Sequence, residues 1–132
     1  MKKLLLLLFT ITSFLFANDE LIKRQQDMLV EIEKDIKANT YTLEEPFIMV
    51  NPFELAPQTA LLIFDTEKKT KVEVILKDNQ TKENIEIYSS KDYSTHHRIE
   101  LVGLFAGKND LVVKTKTRFG NKEEKELKIR TE

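Results

Sequence analysis

Residues 59–77 read Thr59-Ala60-Leu61-Leu62-Ile63-Phe64-Asp65-Thr66-Glu67-Lys68-Lys69-Thr70-Lys71-Val72-Glu73-Val74-Ile75-Leu76-Lys77, and three regimes follow one another within them. Thr59 to Phe64 is almost continuously apolar, the composition of a central strand covered on both faces. Asp65 to Thr70 is polar and charged, and predicts a turn. From Lys71 the period is two: Val72, Val74 and Leu76 fall on one side and Lys71, Glu73 and Lys77 on the other, with Ile75 out of phase. Period two with one wet face belongs to an antiparallel sheet, so the stretch predicts two strands joined by a turn.

The same alternation continues toward the carboxyl end. It is sharpest where Leu127 and Ile129 face one way while Glu126, Lys128 and Arg130 face the other. Ile85 with Ile87, Ile99 with Leu101, and Leu111 with Val113 extend the series, and Phe119-Gly120-Asn121 reads as the tip of a hairpin. The count comes to about seven strands between Phe47 and Thr131. Short strands at that spacing predict an all-β domain over residues 41–132, an immunoglobulin- or fibronectin-like β-sandwich.

Ahead of the strands, Asn18 to Asn39 contains no proline or glycine and places Leu21, Ile22, Leu29, Ile32 and Ile36 largely at helical spacing. Residues 18–40 therefore predict one amphipathic helix, with Asn18 and Asp19 as capping residues. Gln25 interrupts the apolar stripe, so the face is thin and is expected to cover a neighbour, either its own domain or a second chain. Pairs such as Glu33 with Lys37 add only about 0.2–0.5 kcal/mol each.

Residues 1–17, MKKLLLLLFTITSFLFA, have the anatomy of a signal peptide: Lys2 and Lys3, then an apolar run, then the small residue Ala17 before a polar segment. The run falls short of the roughly 20 residues that span a bilayer, so cleavage after Ala17 and a periplasmic location are expected. Membrane contact is expected only through this segment during export. The exported chain then has 115 residues, with 19 Lys and Arg against 22 Asp and Glu, a net charge of −3. Charges of both signs are interspersed along the sequence, so no basic stripe for nucleic acid is expected. Cysteine is absent, which excludes disulfides, thiolate nucleophiles and cysteine zinc sites and leaves packing to hold a small exported domain.

Candidate chemistry is sparse. His96 and His97 are adjacent, and neighbours on a strand point to opposite faces, so the pair cannot chelate one metal; one ring is expected inward and one outward. Asp92 and Ser94 are near enough to be nominal partners of a triad, whose test is geometry. Glu44 with Glu45 and Glu123 with Glu124 read as solubilising neighbours. They match neither the facing carboxylates of a glycosidase nor a calcium loop. Gly103, Gly107 and Gly120 are not arranged to cradle a phosphate. No catalytic, cofactor-binding or metal-ligating residue is assigned, and no cofactor is expected.

Two segments exceed what a generic sandwich demands: Val50-Asn51-Pro52-Phe53-Glu54-Leu55-Ala56-Pro57-Gln58-Thr59-Ala60-Leu61, and His97-Arg98-Ile99-Glu100-Leu101-Val102-Gly103-Leu104-Phe105 followed by Asn109. Together they resemble the amino-terminal domain of bacterial arylsulfate sulfotransferases, where NPY-x-x-APLTAL and H-x-I-x-V-x-GLY segments occur in this order. Phe53, Gln58 and Phe105 depart mildly from these segments, and the agreement runs from about Thr42 to Thr131. Pro52 and Pro57 are expected to make a rigid bend crossing from one sheet to the other. Phe105 is expected to close the bottom of the core, a contribution of about 1.5–3 kcal/mol, and His97 to cap that corner.

The resemblance implies that this domain precedes a six-bladed propeller. That propeller moves a sulfuryl group between phenols in the periplasm, through a histidine intermediate and without a nucleotide cofactor. The family's catalytic residues lie beyond the matching segment, so neither His96 nor His97 takes that role. The implied function is a non-catalytic dimerisation or docking domain, in a truncated, split or free-standing form, with a second copy or a propeller chain as partner. The alternative is a periplasmic carbohydrate-binding or adhesion module, against which the scattered Tyr41, Tyr88 and Tyr93 and the absence of tryptophan count.

Overall fold

The computed structural model describes residues 15–52, 56–78 and 80–131. Residues 1–14, most of the expected signal peptide, and Phe53 to Leu55 of the first family-like segment lie outside the described residues. The chain divides into two units at Ala38/Asn39. In the first, helix α1 (Leu15–Ala38) runs on good helix formers and ends with Lys37 in its last turn, where a cation complements the carbonyl end of the dipole. The helical backbone already includes residues 15–17, so Asn18 and Asp19 lie within the helix and not at its start. No helix among the described residues is long and apolar enough to cross a membrane.

The described residues of the second unit form six antiparallel strands: β1 (Phe47–Val50), β2 (Ala60–Lys77), β3 (Asn84–Ser89), β4 (Ser94–Leu101), β5 (Lys108–Thr117) and β6 (Lys122–Arg130). The expected turn at Asp65 to Thr70 does not form. Residues 60–77 are one strand of 18 residues, so six strands stand where about seven were expected. Its first part pairs with β1 and β4, as Ala60↔Leu101 through Asp65↔His96, and its second with β3 and β5, as Thr70↔Thr117 through Lys77↔Asp110. The register with β4 shifts between Asp65 and Thr70. A strand that changes layer needs a bend and no chain reversal, and a polar, largely exposed segment makes the corner without burying charge. Thr66 Oγ1 donates to the Lys68 carbonyl at 2.7 Å and holds the bend.

One curled sheet thus forms two layers, β1-β2-β4 and β3-β2-β5-β6, the all-β sandwich read from the alternation. Ala60, Leu62, Phe64, Ile99 and Leu101 from the first layer meet Val72, Val74, Leu76, Leu111, Val113, Leu127 and Ile129 from the second. Ile75 stays on the outer face opposite Val112, consistent with its being out of phase. On β3 only Ile87 and Tyr88 reach the core. Ile85, expected there too, is exposed because the strand is an edge that pairs only with β2 among the described strands.

The connections correct two further expectations. β1 pairs directly with β2 within one layer, Val50 opposite Ala60, and it is β2 itself that crosses between layers, not the connection that carries Pro52 and Pro57. Asn51, at φ 49, accepts the Ala56 N–H through Oδ1 at 3.1 Å and donates its own N–H to the Thr59 carbonyl at 2.8 Å. Asparagine tolerates that left-handed conformation. After β4, Gly103 turns at φ +79 and Leu104, not Phe105, plugs the core. Phe105 is held by its backbone, since Asn109 Oδ1 accepts its N–H at 2.7 Å and Asn109 Nδ2 donates to its carbonyl at 2.9 Å, which leaves the ring exposed.

The β2–β3 turn is closed by Asp78, whose carboxylate accepts the Gln80 N–H at 2.9 Å and the Thr81 N–H at 3.4 Å. The first of these bonds does most to hold its pKa below the ordinary carboxylate value. Its contribution is kept above that ordinary value and lost as pH falls through the lower folded one.

Candidate functional site

The two histidines sit on consecutive positions of β4 and point to opposite faces, as the strand period requires. His97 faces in and is buried, its ring 5.0 Å from that of Phe64. Its Nε2 lies 2.9 Å from Thr70 Oγ1, which is itself 3.2 Å from Thr66 Oγ1. The ring therefore bonds to β2 just past its bend and does not cap the Gly103 to Phe105 corner, which follows the carboxyl end of β4. His96 faces out, exposed, with Nδ1 at 2.8 Å from Asp65 Oδ1.

Burial pushes the His97 pKa down, against the upward pull of a backbone hydrogen bond at Ser94 and of the Asp65 charge; the neighbouring His96 adds to the downward side. The fold favours the neutral ring, so the unfolded chain binds the additional proton. The resulting stability is complete above the ordinary histidine value of 6.5 and declines as pH falls from there through the lower folded-state value. In urea titrations from about pH 7.5 down to about pH 5.5, the midpoint of the native chain is expected to fall more steeply than that of His97→Gln. Equal slopes would show that the ring does not titrate on unfolding.

Thr70 and His97 line the polar end of the sandwich interior. There the inward positions of β2 and β5 change from Val72, Leu111 and Val113 to Thr70, Thr115 and Thr117. A cleft of about 400 Å3 opens at this end, with Thr42, Asp65, Thr66, Thr117, Asn121 and Glu123 in its wall. Glu44 also borders it and lies 3.5 Å from Lys125 Nζ, while Glu124, on the opposite face of β6, pairs with Lys114 at 3.9 Å. Glu44 and Glu123, read from the sequence as solubilising, are thus brought to one cleft; Glu45 and Glu124 are not. The inward threonines were the missed signal, being in phase with the apolar residues of their strands.

The groups that come together do not make a hydrolytic triad. Ser94 Oγ donates to the His96 carbonyl at 2.9 Å and accepts the His96 N–H at 3.1 Å, a local turn that directs the hydroxyl to backbone. Asp92 is exposed on the loop before β4. The hydroxyl nearest an imidazole is that of Thr70, buried beside a ring whose protonation burial disfavours. Among the described residues no group of three or more His, Asp or Glu could hold a metal ion. What the cleft offers is hydrogen-bonding hydroxyls and carboxylates.

Residues 47–132 match the family model described as the Ig-like domain of arylsulfotransferase, a span that takes in all six strands. No curated protein matches the chain.

Proposed function

This chain belongs to the arylsulfotransferase family through its Ig-like domain at residues 47–132, and from that premise we propose that it is a non-catalytic docking and dimerisation domain acting in the periplasm. The complete enzyme it serves transfers a sulfuryl group from a phenolic sulfate ester to a phenol. The observation that carries the non-catalytic reading is the state of the histidines. His97 is buried and bonded to Thr70, and His96 stands on the outer face beside Asp65, so neither shares a cleft with an activated acceptor.

Association has a suitable edge in β3. Among the described strands it pairs only with β2, and Ile85 on it is 40% exposed. The opposite edge, β6, is blunted by Lys122, Glu123, Glu124, Lys125, Glu126 and Lys128, the usual protection against unwanted pairing. A partner strand therefore adds at β3. Sedimentation of the exported chain is expected to show a dimer, and Ile85→Lys to shift it to monomer while the variant still melts cooperatively, lower only by the share that association contributed. A monomer at all concentrations, or a dimer indifferent to Ile85→Lys, would overturn the placement.

A further inference from the structure

The strand register assembles a basic row that the sequence disperses. Lys71 on β2 stands opposite Lys116 on β5, and Lys116 opposite Lys122 on β6, so three ammonium groups lie side by side across the outer face of the second layer. This corrects the expectation that charges of opposite sign would keep the surface unclustered. Neighbouring rows follow the ordinary rule: Glu73, Lys114 and Glu124 alternate in sign, as do Lys77, Asp110 and Lys128. Like charges directly opposite one another destabilise a sheet. Among the described residues no carboxylate forms an ion pair with Lys71, Lys116 or Lys122.

Two aromatic residues complete the patch. The Tyr93 ring lies 5.1 Å from Lys71 Nζ and 5.1 Å from the Arg118 guanidinium carbon, which fixes both cations on the same outer face. One residue beyond Arg118, at the tip of the β5–β6 hairpin, Phe119 is 93% exposed. Gly120 at φ +89 lets the turn close tightly, and the hairpin is pinned by Thr117 Oγ1, which accepts the Asn121 N–H at 3.1 Å. The ring is thus presented on a rigid tip.

We propose that the outer face formed by Lys71, Lys116, Lys122 and Arg118, with Phe119 as its insertion point, docks the exported domain on an anionic lipid surface. Neighbouring strands are about 4.8 Å apart, so the row spans roughly 10 Å. That is a flat array of point charges, suited to several headgroups and unlike the converging donors that clasp a single anion. A lone ring projecting beside cations has the amphipathic character of interfacial anchors, with the apolar part entering the acyl boundary and the cations held at the headgroups.

The test is co-sedimentation of residues 18–132, checked for a cooperative melt, with vesicles of phosphatidylcholine alone and with one-third phosphatidylglycerol. Binding is expected only to the anionic vesicles. The triple variant Lys71→Gln, Lys116→Gln, Lys122→Gln is expected to bind about a hundredfold more weakly, and Phe119→Ser about tenfold more weakly. Because the glutamines relieve like-charge repulsion, the triple variant should melt no lower than the native chain, which separates lost binding from lost folding. Equal binding to both vesicle types, no binding to anionic vesicles, or binding unchanged in the triple variant would overturn the proposal. So would capture of a poly-glutamate peptide without vesicle binding, which would identify an acidic polypeptide as the partner.

Discussion

Phe64→Ala is expected to cost about 3–5 kcal/mol of folding stability, the largest effect of any single truncation in the domain. The ring is fully buried where the first part of β2 meets the core from both layers, just before the corner at which the strand changes sheet. Its removal takes away the transfer free energy of a large apolar group and leaves a cavity. A bent sheet cannot close that cavity without moving both layers. It also strips the surface on which the His97 ring rests at 5.0 Å, loosening the bond to Thr70 that ties β4 to the far side of the bend. Phe64→Leu is expected to cost well under half as much. Urea unfolding followed by circular dichroism measures both, and a loss below about 1 kcal/mol for the alanine variant would mean that the corner is not packed around this ring.

Asn109→Ala is expected to lower stability by about 2–4 kcal/mol, through polar bonds and with little apolar loss. The side chain is 1% exposed. Besides its two bonds to Phe105, Nδ2 donates to the Gly107 carbonyl at 3.1 Å and the Ile129 carbonyl at 3.3 Å. Thr131 takes part in the same latch, with Oγ1 donating to the Phe105 carbonyl at 2.6 Å and its N–H to the Gly107 carbonyl at 2.8 Å. After truncation those two carbonyls keep a donor, whereas the Phe105 N–H loses the acceptor that Asn109 Oδ1 provided. Asn109→Asp should be at least as damaging near neutral pH, since it removes three donated bonds and buries a charge. It should recover part of the loss on acidification, as the carboxyl regains a proton. For a domain of this size, 3 kcal/mol corresponds to a fall in melting temperature of about 12–24 °C. A fall of under about 4 °C for the alanine variant would show that water replaces the side chain without cost.

These two residues also mark what the sequence made legible. Phe64 stood in an apolar run and the alternation around Val72, Leu111 and Leu127 marked the strands it packs against, so the class of fold and its core could be read directly. Where the chain bends could not be read, because Asp65 to Thr70 has the composition of a turn, and a polar strand corner has the same composition. Asn109 was visible as part of a recurring segment but not as a latch, since its partners Phe105 and Ile129 lie on both sides of it in the chain. Phe105 itself was misread, because composition favours burying an aromatic ring while the backbone bonds to Asn109 and Thr131 turn it outward. The facing of His96 and His97 followed from the strand period alone. The cleft and the lysine row did not follow, because Thr42 with Glu123, and Lys71 with Lys122, become neighbours only through register between distant strands.

The role proposed above is that of a docking and dimerisation domain that does not itself carry out sulfuryl transfer. The most direct measurement is sulfuryl transfer from 4-nitrophenyl sulfate to phenol by residues 18–132, alone and mixed with a sulfotransferase propeller chain. No transfer by the chain alone, with transfer or faster transfer on mixing, is the expected result. Turnover by the chain alone, abolished by substitution of His96 or His97, would contradict the account.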